Sequence, residues 1–447
     1  MGRRKEGFSR SIVILILVPI IFIVFFSKKC LAISDSLNYT EYRQVSSLRL
    51  ARIQRHLDKL NKLPVFTIES PDGDIIDCVH KKRQPALDHP LLKHHKIQKM
   101  NYYIQRIPTE IPKDMKKSKT NNTRSVDGLK GVWQMWHLKG QLCPKGTVPI
   151  RRSTMHDVLR AKSLYDFGKK QTRLSSPADR RGADTDSTND DLSGNNHEHA
   201  IAYTTTSGDL YGAKASINVW DPPVERVSEF SLSQIWVLSG SFDGTDLNSV
   251  EAGWQVSPEL YGDNSPRLFT YWTSDGYQST GCYNLLCSGF VQTNSRIAIG
   301  AAISPVSTVD GNQYDITILI WKDPKTGHWW LAFGDNTLVG YWPSTLFTHL
   351  ADRATMVEWG GEIVNSRPNH EHTSTQMGSG HFAEDGFGKA SYFRNLQIVD
   401  SANNLGSAQH ITTLAEFPNC YNIQSSYNDE WETHFYYGGP GRSSKCP

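Results

Sequence analysis

From His199 to its C-terminus the chain alternates apolar and polar residues with a period of two, broken every few residues by Gly, Asp, Asn or Pro. That pattern suits short antiparallel strands and little else. Phe230, Leu232, Gln234 and Trp236 alternate with Ser231, Ser233, Ile235 and Val237. Segments 314–321 and 328–333 flank Asp323-Pro324-Lys325-Thr326-Gly327, a hairpin signal. Segments 200–205 and 211–219 read as strands on either side of Ser207-Gly208-Asp209. The best helical candidate in this half is 344–354. The expectation is an antiparallel β-sandwich or barrel of roughly 250 residues, without internal repeats.

The first half reads differently. Over 42–63, Leu50, Ile53, Leu57 and Leu60 recur at three- and four-residue spacing before Pro64, which predicts an amphipathic helix. A compact region over 71–150 is interrupted by a Lys-rich loop at 113–124. Between 175 and 196 apolar residues nearly vanish, and Arg180-Arg181-Gly182 gives way to Asp184, Asp186, Asp190 and Asp191. Such a stretch is an exposed connector and a preferred place for proteolytic nicking.

Charge divides the same way. Residues 1–200 carry 36 Lys/Arg against 20 Asp/Glu, while residues 201–447 carry 12 against 25. The halves should therefore attract each other. The basic residues are scattered among Pro and His with no recognition module, so nucleic acid is not an expected partner. With 12 Trp and 11% aromatic residues, the composition is globular, not disordered.

Arg3, Arg4, Lys5 and Arg10 precede an apolar run over 12–26, and Cys30-Leu31-Ala32 offers a small-residue cleavage site. A cleaved signal peptide over 1–32 is expected, with an uncleaved signal anchor as the alternative. Glu6 stands where myristoylation wants Ser or Thr. Cleavage leaves six cysteines, an even set that suits disulfides in a secreted chain. Proximity and domain membership pair Cys282 with Cys287, Cys420 with Cys446 and Cys78 with Cys143. The absence of any CxxC argues against a metal site on them. Sequons at Asn38 and Asn121 are compatible with glycosylation.

Two glutamates share an unusual setting. Glu251 lies in Ser-Val-Glu-Ala-Gly-Trp-Gln-Val (249–256) and Glu362 in Val-Glu-Trp-Gly-Gly-Glu-Ile-Val (357–364). Strand parity puts Val250, Ala252, Trp254 and Val256 on one face and Glu251, Gly253 and Gln255 on the other. Likewise Val357, Trp359, Gly361 and Ile363 oppose Glu358, Gly360 and Glu362. Each carboxylate thus rises from a strand whose other face is core, beside glycines that leave room for a ligand backbone. Facing carboxylates would share a proton and form an acid/base pair. Gln255, on the Glu251 face, is a candidate oxyanion donor, and Tyr271 and Trp272 are candidate walls of an apolar subsite.

Longer stretches carry a resemblance. In the first half they are Pro71-Asp72-Gly73-Asp74-Ile75-Ile76-Asp77-Cys78-Val79, Gln84-Pro85-Ala86-Leu87-Asp88-His89-Pro90 and Cys143 to Arg152. In the second they are Ser233-Gln234-Ile235-Trp236, Glu251-Ala252-Gly253-Trp254, Tyr271 to Asp275, Gly281-Cys282-Tyr283-Asn284, Trp359-Gly360-Gly361-Glu362, Gln376 to Phe382 and Gly438-Gly439-Pro440-Gly441. In this order they resemble the neprosin family of secreted plant peptidases over nearly the whole mature chain. The resemblance implies a smaller mixed α/β propeptide over 33–180, a processing linker over 181–196 and a β-sandwich glutamic peptidase domain over 197–447. It maps the two catalytic glutamates onto Glu251 and Glu362. It further implies endopeptidase action after proline in acid, without metal or cofactor. The expected partners are a protein or peptide substrate and the chain's own propeptide. A monomer is expected, secreted to the apoplast, cell wall or vacuole and free of stable membrane association after signal cleavage.

Two other readings compete. His370, His372 and His381, or His197 and His199, could hold a catalytic metal, although no HExxH helix is present. Alternatively, the aromatic strands could form a non-catalytic cell-wall or glycan-binding sandwich, and paired carboxylates also serve glycoside hydrolysis.

Overall fold

The fold was described from a computed structural model over residues 45–98, 110–113, 124–125, 133–170, 196–204, 208–242, 245–334, 337–368 and 371–447. The apolar run over 12–26, the Ala32 site, Asn38, Asn121, His370 and most of the connector lie outside these residues. Among the described residues no helix is long and apolar enough to cross a membrane.

The chain divides into two compact units, 1–56 and 57–447. Helix α1 (Ser47–Leu60) stops short of Pro64, whose ring disfavours helical backbone at the preceding residue. In the second unit, β1 (Pro64–Glu69), β2 (Ile75–His80) and β4 (Thr147–Arg151) form a three-stranded antiparallel sheet, while β3 (Arg124–Ser125) joins a different sheet. Cys78 on β2 is bonded to Cys143 just ahead of β4. Helix α2 (Met155–Arg160) follows, capped by reciprocal hydrogen bonds between Thr154 and Asp157. This region is the mixed α/β part of the protein.

The rest is β-sandwich. Its strands are β5 (His197–Thr204), β6 (Gly212–Asn218), β7 (Ser231–Ser239), β8 (Asn248–Val256), β9 (Arg267–Thr273), β10 (Val291–Gln292), β11 (Tyr314–Lys322), β12 (Trp329–Phe333) and β13 (Thr337–Trp342). They continue with β14 (Met356–Val364), β15 (Ser391–Val399), β16 (Leu405–Ser407), β17 (Ile411–Ala415), β18 (Asn422–Asn428) and β19 (Glu432–Gly438). One sheet runs β17-β5-β14-β7-β8-β9. The other runs β10-β13-β12-β11-β6-β15-β19-β18, with β3 beside β11 and β16 beside β15. The hairpin expected at residues 323–327 joins β11 to β12. Strands β5 and β6, close in sequence, belong to opposite sheets, so the chain changes layer between them.

The main core lies between the sheets. Ala213, Ala215, Ile217, Ile316, Ile318 and Ile320 from one layer join Val250, Ala252, Trp254, Val256, Val357, Trp359 and Ile363 from the other. Burying one branched aliphatic side chain contributes about 1.5–3 kcal/mol. The helix expected over 344–354 is a single 3-10 turn, Ser344–Leu346. Leu346, Phe347, Leu350 and Ala354 reach the core from this turn-rich segment instead, and Ala354 is held by a backbone bridge to Leu210. Apolar spacing there reports burial, not helical period.

Candidate active site

Strand β7 runs between β8 and β14, and its register fixes the site. Trp236 lies opposite Glu251 on β8 and Glu358 on β14. Gln234 lies opposite Gly253 and Gly360, and Leu232 lies opposite Gln255 and Glu362. Glu251 and Glu362 therefore occupy diagonal corners across β7, with Gln234 on the diagonal between them. The two flanking glycines fit where neighbouring strands approach too closely for a Cβ. A Cβ on Gly253 would lie 2.0 Å from the Ser233 carbonyl oxygen, and Gly360 sits at φ +153°.

Both carboxylates are buried and converge on shared partners. Gln234 Nε2 donates to Glu251 Oε2 at 3.0 Å and to Glu362 Oε2 at 3.4 Å. Lys170 Nζ lies 3.2 Å from the same Glu251 oxygen and 2.9 Å from the same Glu362 oxygen. The outer oxygens differ. Glu251 Oε1 accepts from Tyr277 Oη at 2.7 Å and Ser249 Oγ at 2.9 Å, both neutral. Glu362 Oε1 meets His197 Nδ1 at 2.5 Å, with His199 Nε2 at 3.8 Å. Burial alone pushes the Glu362 carboxyl up. The Lys170 charge, the His197 hydrogen bond and the His197 and His199 charges outweigh it and hold the group well below the usual range.

Aromatic side chains wall the site. The Lys170 ammonium is 5.7 Å from the Trp236 ring and 5.6 Å from that of Tyr277. Tyr271 Oη accepts from the Lys170 backbone amide at 3.2 Å, and Tyr283 packs edge-on to Tyr271. Burial first, then the Glu362 and Glu251 charges, drive the Tyr283 hydroxyl well above its ordinary range, so it stays protonated. A 690 Å³ cavity opens beside the pair, lined by Lys170, His197, Phe230, Leu260, Tyr277 and Tyr283 among others. It is large enough for a peptide side of the cleft.

The segment bearing Lys170 is tied down along its length. Lys169 Nζ donates to the carbonyls of Ser279 and Gly281 at 2.6 and 2.7 Å, and the Gly168 carbonyl accepts from Tyr283 N at 2.9 Å. Arg160 reaches the Glu259 carbonyl at 2.9 Å. Further off, Gln84 and Gln292 exchange two hydrogen bonds, and Asp74 meets Arg267 at 2.5 Å. That last pair opposes the sign expected from net charge. Lys81, Arg151, Arg160 and Lys169 donate to backbone carbonyls of the second half, whereas Lys170 meets its carboxylates. His95 Nε2 lies 2.8 Å from Tyr341 Oη, whose ring stacks on His328 with an angle of 2°.

The expected site residues divide. Glu251, Glu362 and Tyr271 come together. Gln255 does not join them: its amide donates to Tyr261 Oη at 3.1 Å, and Gln234 takes the place beside the carboxylates. Trp272 is also corrected, for parity turns it into the inter-sheet core, where it meets Phe347 and His89. The histidines do not form one cluster. His197 and His199 face Glu362, whereas His372 bonds Glu198 at 2.7 Å and His381 bonds Asp385 at 2.9 Å. His372 approaches Cys420 and Cys446, but those sulfurs are joined to each other, and Cys282 is joined to Cys287. Sequence reasoning missed Lys170, His197 as a carboxylate partner, Ser249 and Tyr277. Parity could have supplied Ser249 and Gln234. Nothing local distinguishes Lys170 from Lys169.

A family model described as Neprosin matches residues 227–440, and one described as Neprosin activation peptide matches residues 67–203. The second match runs through β5, a strand of the sheet that carries both glutamates. Among solved structures, Scytalido-glutamic peptidase with a peptide-based transition state analogue is similar at 10% identity and TM-score 0.28, covering 55% of this chain and 98% of that one. SCP-B, a member of the Eqolisin family of peptidases in complex with the tripeptide Ala-Ile-His, has the same identity, score and coverage. A β-porphyranase from the gut bacterium Bacteroides plebeius follows at 8% identity and TM-score 0.20, covering 54% and 66%.

Proposed function

This chain belongs to the neprosin family and carries that family's activation peptide, which supports a protease proenzyme, and we propose on that premise a glutamic endopeptidase held latent by Lys170. The observation that carries the proposal is the meeting of Glu251 Oε2 and Glu362 Oε2 at one ammonium and one amide in a buried aromatic cleft.

In the mature form one carboxyl is ionised and the other protonated. The ionised member takes a proton from water as the water oxygen bonds to the scissile carbonyl carbon. The carbonyl π pair moves to its oxygen, which takes the proton of the other member, and Gln234 Nε2 is positioned to donate there. The intermediate collapses as the C–N bond breaks toward nitrogen. Nitrogen takes the proton held by the first member, and one hydroxyl of the intermediate returns its proton to the second. Acid and amine leave, and both carboxyls regain their starting states.

Latency follows from the same atoms. Lys170 occupies the space between the Oε2 atoms that the attacking water needs, and its charge favours two ionised carboxylates. A proton and the ammonium therefore compete for one place, so acid favours departure of the segment. Trp236 and Tyr277, freed of the ammonium, form the pair to which we assign a proline ring of the substrate. The basic and apolar N-terminus and the three disulfides support secretion. Processing is assigned to the connector, residues 181–196.

The proposal is tested by bringing full-length protein to acid pH with a denatured protein, with and without a chelator. Peptides cut in both arms, with proline enriched before the cut, are expected. Loss of cutting in the chelated arm, restored by zinc, would overturn the glutamate mechanism.

A further inference from the structure

The two carboxyls are not equivalent in their surroundings. Glu251 meets neutral hydroxyls through its outer oxygen, while Glu362 meets two imidazoles on β5. His197 is the first residue of that strand and lies opposite Val364, and its ring packs edge-on to Phe230 at 5.5 Å. His199 is otherwise engaged, its Nδ1 lying 2.8 Å from Glu416 Oε2. Of these two rings, His197 is the one with a nitrogen within hydrogen-bond distance of Glu362.

We propose that His197 is a positioning residue of the reaction: as an imidazolium it donates through Nδ1 to Glu362 Oε1, keeping Glu362 the ionised, water-activating member and leaving the proton on Glu251. The inference rests on the two-glutamate reading above and assigns its roles.

Both carboxyls are buried, so nearby charge decides which of them ionises. Acid conditions favour the charged form of an imidazole, and a carboxylate within hydrogen-bond distance favours it further. A buried cation against one oxygen favours the charged form of that carboxyl over a neighbour held by neutral hydroxyls. Other groups facing Glu362 do not supply this asymmetry once Lys170 has left. Gln234 is neutral and touches both carboxyls. The Tyr283 hydroxyl stays protonated. Glu358, on the same face of β14, and Glu251 are acidic and oppose ionisation of Glu362. His199 lies farther away and is paired with Glu416.

A second consequence concerns processing. His197 belongs to the first strand after the connector, so a cut that removed it would separate the imidazole from the carboxyl it serves. The activating cut must fall before residue 197.

The test compares wild type, His197→Asn, His197→Ala, Glu251→Gln and Glu362→Gln. Each is activated as full-length protein by a trace of tagged wild-type enzyme that is then removed. His197→Asn keeps a donor near the Nδ1 position without the charge. Its kcat/KM should fall about tenfold at the acid end of the profile, the equivalent of one pH unit, and only about twofold at the upper end. His197→Ala should lose more at every pH and show the same tilt. Equal fractional losses of His197→Asn at all pH values would overturn the inference, leaving the dyad intact if both glutamine variants are inactive. Activity in a glutamine variant would instead overturn the dyad itself. Independently of any variant, N-terminal sequencing of the active wild-type form should place its first residue at or before 197. An active form beginning at residue 198 or later would contradict the role of His197.

Discussion

The Lys170 ammonium and the Glu362 carboxylate form an ion pair of 2.9 Å with both side chains at 2% exposure or less. A buried pair of this kind is costly to break from one side, because the remaining charge is left without compensation in a low-dielectric setting.

Removing the ammonium should therefore make the carboxyls protonate more readily. Lys170→Met in the full-length chain should shift the midpoint pH of conversion toward neutrality by about one unit. Lys170→Arg, which keeps the charge, should stay nearer wild type. Conversion followed on gels against pH checks this, and an unmoved midpoint for Lys170→Met would contradict the latch.

A second acid-sensitive contact lies away from the cleft, at His95, Tyr341 and His328. Burial first, then the charge of His95, depresses His328 to about 4, with Lys322 adding to the effect and Asp323 opposing it. Burial also lowers His95. Groups depressed in the seated state are held there neutral, so their contribution is complete above about 6.5 and is lost as pH falls toward 4. Replacing His95 with Phe keeps a ring and removes one proton site. The midpoint of release should move to lower pH by about half a unit. A midpoint that stays put would assign the pH response to the cleft alone.

The amide beside the carboxylates can be told from the one sequence parity favoured. Gln234→Ala should lower kcat by about a hundred- to a thousandfold, as expected for loss of an oxyanion donor. Gln255→Ala, which removes a hydrogen bond to Tyr261, should cost stability more than rate. Steady-state kinetics with thermal melting of both variants makes the comparison.

The sandwich was legible because its strands obey a period of two: Val250 to Val256 and Val357 to Ile363 turn to the core as parity requires. The carboxylates were legible for the same reason. Parity also identified a shared face for Gln255, but it cannot say how far along a strand a side chain lies from its neighbour's functional group. That depends on register, and register centres Gln234 between Gly253 and Gly360. Trp272 was misread because aromatic character alone does not reveal a face. The helix expected over 344–354 failed because Leu346, Leu350 and Ala354 are spaced for burial in an irregular segment. Lys170 was invisible to local pattern, since its role comes from a chain path that returns to strands far away in sequence.

The central claim is that Glu251 and Glu362 together perform the hydrolysis, and the most direct measurement is kcat/KM of the Glu251→Gln and Glu362→Gln proteins, processed by tagged wild-type enzyme that is then removed, against wild type. Each substitution is nearly isosteric, so the fold and the processed chain should be retained. The account predicts a loss of about a hundred- to ten-thousandfold in each, the range typical of an acid or base residue. Either variant keeping half of wild-type activity would contradict it.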